Sequence, residues 1–279
     1  MADMGLTEVA ATVEERISAQ IQMQLIETAK LIGTVQNFSA LAQKGNDVIK
    51  VPRAGNFTVQ DKAENTAVTP QVLTYATDDM TLDKYKVIQV LLEDDAELNA
   101  KPDIVADIIG RMAKQMALQV DTDIVAALEA TSAAAPDHRI AYANATSLAQ
   151  ADILEARRLL HIQNVPFNEC FLGVSPGSEK NLLAIADFVR ADSYGDAAGL
   201  RMGELGRIYG ATVVMSNEFD DAKTIVWHPT HAGFAMHREA RFEQDRQLDK
   251  LANLYSVSQK YGTLTMDSGK RAVLLGSAT

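Results

Sequence analysis

Three histidines, His228, His231 and His237, fall within eleven residues of a Trp-His-Pro-Thr-His-Ala-Gly-Phe-Ala-Met-His stretch, and neutral imidazole is the commonest side-chain metal ligand. Two and then five residues separate them. Across a strand, a turn and a second strand that spacing does not converge three rings on one ion, and no thiolates or His-Glu-x-x-His helix accompany them. They read as turn and strand residues. Gly199, Gly203, Gly206 and Gly210 could let backbone amides approach a phosphate, but their spacing is neither a dinucleotide fingerprint nor a Walker loop and reads as a flexible turn. Glu93-Asp94-Asp95, at a strand end before a helical segment, reads as a cap and dipole partner rather than an acid/base or cation site. Cys170, among Phe171, Leu172 and Val174, reads as a buried thiol. Val174-Ser175-Pro176-Gly177 lacks the leading glycine of a nucleophile elbow. No residue is therefore assigned to a catalytic, cofactor-binding or metal site, and no cofactor is expected.

Composition narrows the class. The chain has 279 residues, with 26 Lys plus Arg against 37 Asp plus Glu, a net charge of −11. Nucleic-acid wrapping relies on clustered cations that displace counterions, so this balance argues against it. Hydrophobic residues make up 47% and charged residues 23%, enough apolar material for one large or two medium domains and too much for disorder. One cysteine excludes an internal disulfide framework and fits a reducing compartment. The longest apolar run falls well short of the roughly 20 residues that span a bilayer. Residues 1–5 lack the cationic start of a signal peptide, so no leader and no membrane partner are expected.

The elements that would position these groups can be read along the chain. Thr7 can cap an amphipathic helix whose Val9, Val13, Ile17, Ile21 and Leu25 share one side, and that helix needs a surface to lie on. Residues 47–93 are strand-like, in pieces 48–51, 57–59, 68–75 and 80–92, with turn chemistry at Pro52, Gly55-Asn56 and Asp78-Asp79. The stretch 58–69 holds only small or polar residues apart from two valines, so a long hairpin with this tip must lean on something else. Pro102 opens the clearest helix, over 102–130, with Ile104, Val105, Ile108, Met112, Met116, Val120, Ile124 and Leu128 on one face. At that length it is a structural spine. Ser147 and Gln150 form a capping box for a helix that ends by Pro166. A strand over 170–174, a helix through Leu182, Leu183 and Ile185, and a strand over 211–215 complete a compact α/β unit. Strands over 224–228, 233–237, 254–265 and 271–275 follow. An arm, a hairpin that needs a partner, a spine and no recognisable chemistry read as a chain built to assemble.

The order of these features resembles the major capsid proteins of tailed bacteriophages. The resemblance spans nearly the whole chain. It rests on Val48-Ile49-Lys50-Val51-Pro52-Arg53 leading into the polar hairpin with Asp61-Lys62-Ala63-Glu64, and on the spine segment Met116-Ala117-Leu118-Gln119-Val120-Asp121-Thr122-Asp123. It continues through Asn164-Val165-Pro166, Phe171-Leu172-Gly173-Val174-Ser175-Pro176 and Leu205-Gly206-Arg207-Ile208-Tyr209-Gly210-Ala211-Thr212-Val213-Val214, with Ser216-Asn217 beyond. The resemblance implies an α+β, Hong Kong 97-like phage capsid fold. Residues 1–46 would form an N-terminal arm and 47–85 an extended loop. Residues 86–140 with 230–279 would form a peripheral domain carrying the spine helix, and 141–229 an axial α/β domain.

It also implies a non-enzymatic protein whose main partner is itself. Hexamers and pentamers would close an icosahedral shell around double-stranded DNA, held without sequence-specific binding, in the virion after assembly in the host cytoplasm. Scaffolding, portal and decoration proteins are the other implied partners. With only about 46 residues before the hairpin, any scaffold is expected as a separate protein. Some relatives crosslink a hairpin lysine to a neighbour's asparagine; Lys62 lies in the corresponding loop, without an identifiable partner. Two other readings stand beside this one. One is an encapsulin-like nanocompartment shell on the same fold; the other is a soluble α/β enzyme using the unit over 146–216 with the histidines near 228–237.

Overall fold

Apolar residues recurring every three or four positions draw the spine into one long helix. The computed structural model describes residues 30–42, 47–55, 57–99, 104–144, 147–184 and 206–276. The amphipathic N-terminal helix, Pro102, Ile185, Gly199 and Gly203 lie outside these. The spine, α2, runs Ile104–Glu129 over 26 residues, roughly 40 Å at 1.5 Å per residue. A short helix, α1 (Asp94–Asn99), precedes it. Two further helices, α3 (Gln150–Ile162) and α4 (Pro176–Leu183), follow.

The spine changes partner half-way along. Its first half, through Ile104, Met112 and Met116, covers a four-stranded sheet, meeting Leu92, Tyr255 and Val257. That sheet comprises β1 (Gln36–Asn37), β4 (Lys84–Glu93), β10 (Ala232–Gln247) and β11 (Ala252–Thr265), in the order β1-β10-β11-β4. Buried Gln259 of β11 donates from Nε2 to the Met116 carbonyl at 3.1 Å, pinning sheet to helix at the changeover. The second half, through Val120, Ile124, Val125 and Leu128, packs on Ile225, Trp227, Phe234, Tyr261 and Leu274.

Ile225, Trp227 and Leu274 belong to a six-stranded sheet. Its strands are β5 (Arg139–Ile140), β6 (Phe171–Val174), β7 (Arg207–Ile208), β8 (Ala211–Met215), β9 (Thr224–Trp227) and β12 (Ala272–Leu275), in the order β5-β12-β9-β6-β8-β7. Both faces of this sheet are covered, which is why its central strands read as near-continuous apolar runs. The period of two sorts them: Leu172, Val174, Val226, Val273 and Leu275 face α3, while Ile225, Trp227, Ala272 and Leu274 face the spine. Trp227 lies at the centre, fully buried, with Phe171 and Phe219 rings 5.9 and 6.0 Å away.

Several local expectations are corrected. The cap of α3 is not the Ser147–Gln150 box. The buried Asp152 carboxylate accepts from Ala149 N and Ala143 N, both at 2.8 Å, fastening the helix start to the preceding loop. Asp78 and Asp79 lie inside β3 (Tyr75–Thr81) rather than in a turn, because Asp78 is held by Arg53 and by the Asp267 amide. Pro52 lies within β2 (Val48–Ala54), which is tolerated because β2 pairs with β3 alone and needs no second row of donors. Residues 57–59 and 68–74 are not strands. β10 runs ten residues beyond the expected 237, through a charged exposed half (Arg238, Glu239, Arg241, Glu243, Asp245, Arg246) with no apolar alternation to betray it. Such charges also suit a free sheet edge, where they discourage pairing with stray strands. Among the described residues no helix is long and apolar enough to cross a membrane.

Candidate assembly interface

Two segments stand apart from the layered core: the strap that begins at Lys30 and runs fastened along the body, and the hairpin of β2 and β3, which leaves it. The hairpin has a firm root. Ile49, Met80, Leu82 and Ala235 form a small buried cluster, with Phe38, Val51 and Leu264 against it. Arg53 pairs with Asp267 and Asp78, and Lys260 Nζ reaches Asp47 Oδ1 at 3.2 Å. Gly262 is required by this closeness, since a Cβ there would stand 2.3 Å from the Thr81 carbonyl oxygen and 3.2 Å from Leu82 Cα. Both are backbone atoms that cannot swing aside. Gly262→Ala is therefore expected to destabilise the fold by about 1–3 kcal/mol through overpacking, read as a lower urea midpoint with an unchanged slope.

Beyond the root, regular pairing stops. The last backbone rung is Gly55 N to Thr74 O, 2.8 Å. After it the strands are joined by side chains: the Gln71 amide stands in for a peptide, accepting from Thr58 N at 2.9 Å and donating to Thr58 O at 2.5 Å, while Gln60 Nε2 donates to Thr69 O at 3.1 Å. Asn65 takes a left-handed φ of 59° in the tip turn, closed by Thr66 N to Ala63 O. Among the described residues no body surface lies beneath. Phe57, Val59 and Val72 are 64, 95 and 87% exposed, an arrangement that is unfavourable in water and suited to burial against another surface.

One turn of the spine, the Asp121-Thr122-Asp123 segment, holds the strap on one side and β4 and β11 on the other. Asp123 accepts from the Tyr261 hydroxyl at 2.5 Å and pairs with Lys84 and Lys86 of β4 at 3.4 and 3.5 Å. Burial works to raise its carboxyl, but the Tyr261 hydroxyl and the two lysines outweigh it and hold it below the usual carboxylate range. Burial, then the Asp123 contact, pushes the Tyr261 phenol above its ordinary value. Asp121 is fully buried and accepts from Lys30 N and Leu31 N, at 2.8 and 3.2 Å, where the strap meets the body. The sequence marked the segment without revealing these roles.

The groups that invited chemistry are placed apart. His228 bonds Thr230, and its Nε2 lies 3.3 Å from Glu169. His231 is buried and donates from Nε2 to Leu128 O at 3.1 Å, at the end of the spine. Among the described residues no group of three His, Cys, Asp or Glu side chains could hold a metal. Burial pushes the Cys170 thiol up to about 12, with nearby Glu169 adding to the shift. Ser175 caps α4, accepting from Ser178 N at 3.2 Å. Gly210, with φ of 103°, and Tyr209 make the tight turn between β7 and β8. Asp94 opens α1 and is held bidentately by Arg246, both contacts at 2.5 Å; that hydrogen bonding lowers its carboxyl below the ordinary value. A shallow groove of about 520 Å³ lies along α3 among Leu154, Arg157, Arg158, His161 and Ile162.

His231 makes the fold sensitive to acid. Burial, with His138 and Arg271 nearby, pulls it down to about 4 against the Leu128 contact, which works the other way. The unfolded chain therefore takes up this proton at higher pH than the folded one. Stability is full above about pH 6.5 and falls toward pH 4 by about 3 kcal/mol from this group. Urea midpoints measured near pH 7.5 and 4.5 should fall further for the wild type than for His231→Gln, which retains a donor for Leu128 O.

Residues 75–274 match the family model described as phage capsid protein. The chain belongs to the phage capsid protein family. Solved structures share its fold. That of Mycobacterium phage Che8 is 22% identical with a TM-score of 0.73, over 89% of this chain and 91% of that one. The capsid of cyanophage P-SCSP1u is 15% identical with a TM-score of 0.71, over 91% and 89%. The mature capsid of bacteriophage PhiM1 is 16% identical with a TM-score of 0.71, over 90% and 87%. No curated protein matches. The fold is thus the α+β, Hong Kong 97-like one, and the chain is a phage capsid protein, a structural protein of the virion.

Proposed function

We propose that this capsid protein assembles as hexamers and pentamers into an icosahedral shell enclosing double-stranded DNA, which it holds without reading sequence. The observation that carries the reading is the hairpin: some twenty residues, 55–74, rooted firmly at one end, with exposed apolar side chains that no surface among the described residues of their own subunit covers. A second copy is the partner that supplies such a surface at every position of a closed shell. The net charge of −11 suits a container whose contents repel its wall.

Within this proposal residues 1–46 act as the arm and 47–85 as the extended loop. Residues 86–140 with 230–279 form the peripheral domain, and 141–229 the axial domain around the capsomer centre. Assembly takes place in the host cytoplasm with a separate scaffolding protein, and portal and decoration proteins complete the head. The test is native mass spectrometry of the purified chain with nuclease protection of particles from the producing cell. Rings of five and six subunits and nuclease-resistant DNA inside closed particles are expected. Particles that carry a protein cargo and no DNA would contradict the DNA-container role.

A further inference from the structure

The carboxylate of Asp121 is fully buried in the middle of the spine helix, a costly place for a charge unless donors surround it. Its Oδ2 and Oδ1 accept from the main-chain amides of Lys30 and Leu31, ninety residues away in the chain. Neither bond supports the spine, whose own ladder is complete without them. They hold the start of the strap. From there the strap stays fastened for about ten residues. Leu31 is buried against Val120 and Ile124. The Trp227 indole Nε1–H donates to Thr34 O at 3.2 Å. Residues Gln36 and Asn37 pair in parallel with Gly233 and Phe234, and Ser39 Oγ accepts from Met236 N at 2.9 Å. The strap is thus held by apolar and neutral contacts along its length and by a charged one at the point where the preceding twenty-nine residues join it.

We infer that Asp121 is an arm clasp: its carboxylate fixes where and in which direction the N-terminal arm leaves the subunit, and shell closure depends on that direction. This rests on the reading that the chain assembles through its appendages. An arm that reaches a neighbour must start from a fixed point, because each freely rotating link at its base spreads the far end over a larger volume and lowers the effective concentration of the intersubunit contact. Two bonds to one carboxylate fix two successive peptide planes. Asp121→Asn keeps the side chain's shape but leaves one acceptor oxygen and turns an NH₂ toward a main-chain N–H.

The test compares full-length wild type, Asp121→Asn and Lys30→Pro. The proline removes the Lys30 N–H from the strap side while leaving the spine untouched, so it decides the matter if the spine variant fails to fold. Chymotrypsin cleavage after Leu31 in the unassembled subunit, a site that both variants keep, and the emission of Trp227, the chain's one tryptophan, report the clasp. Particle yield reports assembly. Cleavage after Leu31 should accelerate about tenfold or more in both variants, as expected for losing a charge-assisted hydrogen bond that holds a local segment closed. Trp227 emission should shift to the red, and closed particles should fall by a similar factor, while circular dichroism stays that of a folded chain. Unchanged cleavage and emission in both variants would overturn the clasp. Faster cleavage with wild-type particle yield would overturn its role in closure. A wild type that forms no particles at all would defeat the assembly reading, and with it the closure half of the inference, while cleavage and emission would still decide the clasp.

Discussion

Removal of residues 58–69, with 57 joined to 70 by a short turn, leaves a folded subunit that no longer closes into shells. The deleted residues are exposed and make no contact with the packed body. The root cluster of Ile49, Met80, Leu82 and Ala235 and the Arg53 pairs lie outside the deletion. The unfolding midpoint should therefore move within about 0.5 kcal/mol, as for other surface changes, and circular dichroism should be unaltered. Assembly should be lost outright, because the tip and the exposed Val59 and Val68 that would lie between subunits are gone. Light scattering of wild type and deletion at equal concentration measures the difference. Shells of normal size from the deletion would show that the hairpin is ornamental.

A different residue carries the subunit itself. Trp227→Ala should cost about 3–5 kcal/mol, the range for emptying a buried aromatic site whose walls relax only in part. The walls here are stiff: Phe171 of the neighbouring strand β6 and Phe219 of the loop between β8 and β9 lie against the ring, the second half of the spine packs across it, and Thr34 of the strap accepts its indole hydrogen. A single cavity therefore loosens the sheet, the spine and the strap together. The loss is read from urea unfolding followed by circular dichroism, since the variant has no tryptophan to follow. Trp227→Phe, which keeps most of the volume but not the N–H, should recover more than half of it.

How much of this was legible depended on whether side chains advertised their surroundings. The spine was plain, because eight apolar residues at helical spacing have no other explanation, and β8, β9 and β12 were plain because strands covered on both faces are largely apolar. The outer half of β10 was hidden: its residues are charged on both sides, and a sixteen-residue strand exists there only because β11 holds it by main-chain bonds. The hairpin's departure from regular pairing was hidden for the opposite reason, since Val, Thr and Gln favour strands and only the absence of a surface beneath them prevents one. Asp152 was missed as the cap because a helix start is usually bonded by its N-cap side chain, whereas here the third residue reaches back. The spine aspartates were noticed as a pattern, yet nothing in their spacing says that one faces the strap and the other faces β4 and β11. That assignment requires the fold. The spacing of the histidines and glycines argued against a site; in the fold His231 bonds the Leu128 carbonyl and Gly210 lies in the turn between β7 and β8.

The central claim is that the chain's function is the geometry of its self-contacts, and electron cryomicroscopy of particles formed by the purified chain tests it most directly. The account predicts closed icosahedral particles built of five- and six-subunit rings, in which Phe57, Val59 and Val72 of each hairpin are covered by a neighbouring subunit. A monodisperse monomer or dimer, even when concentrated with its scaffolding protein, or shells in which the hairpins project freely into solvent, would contradict it.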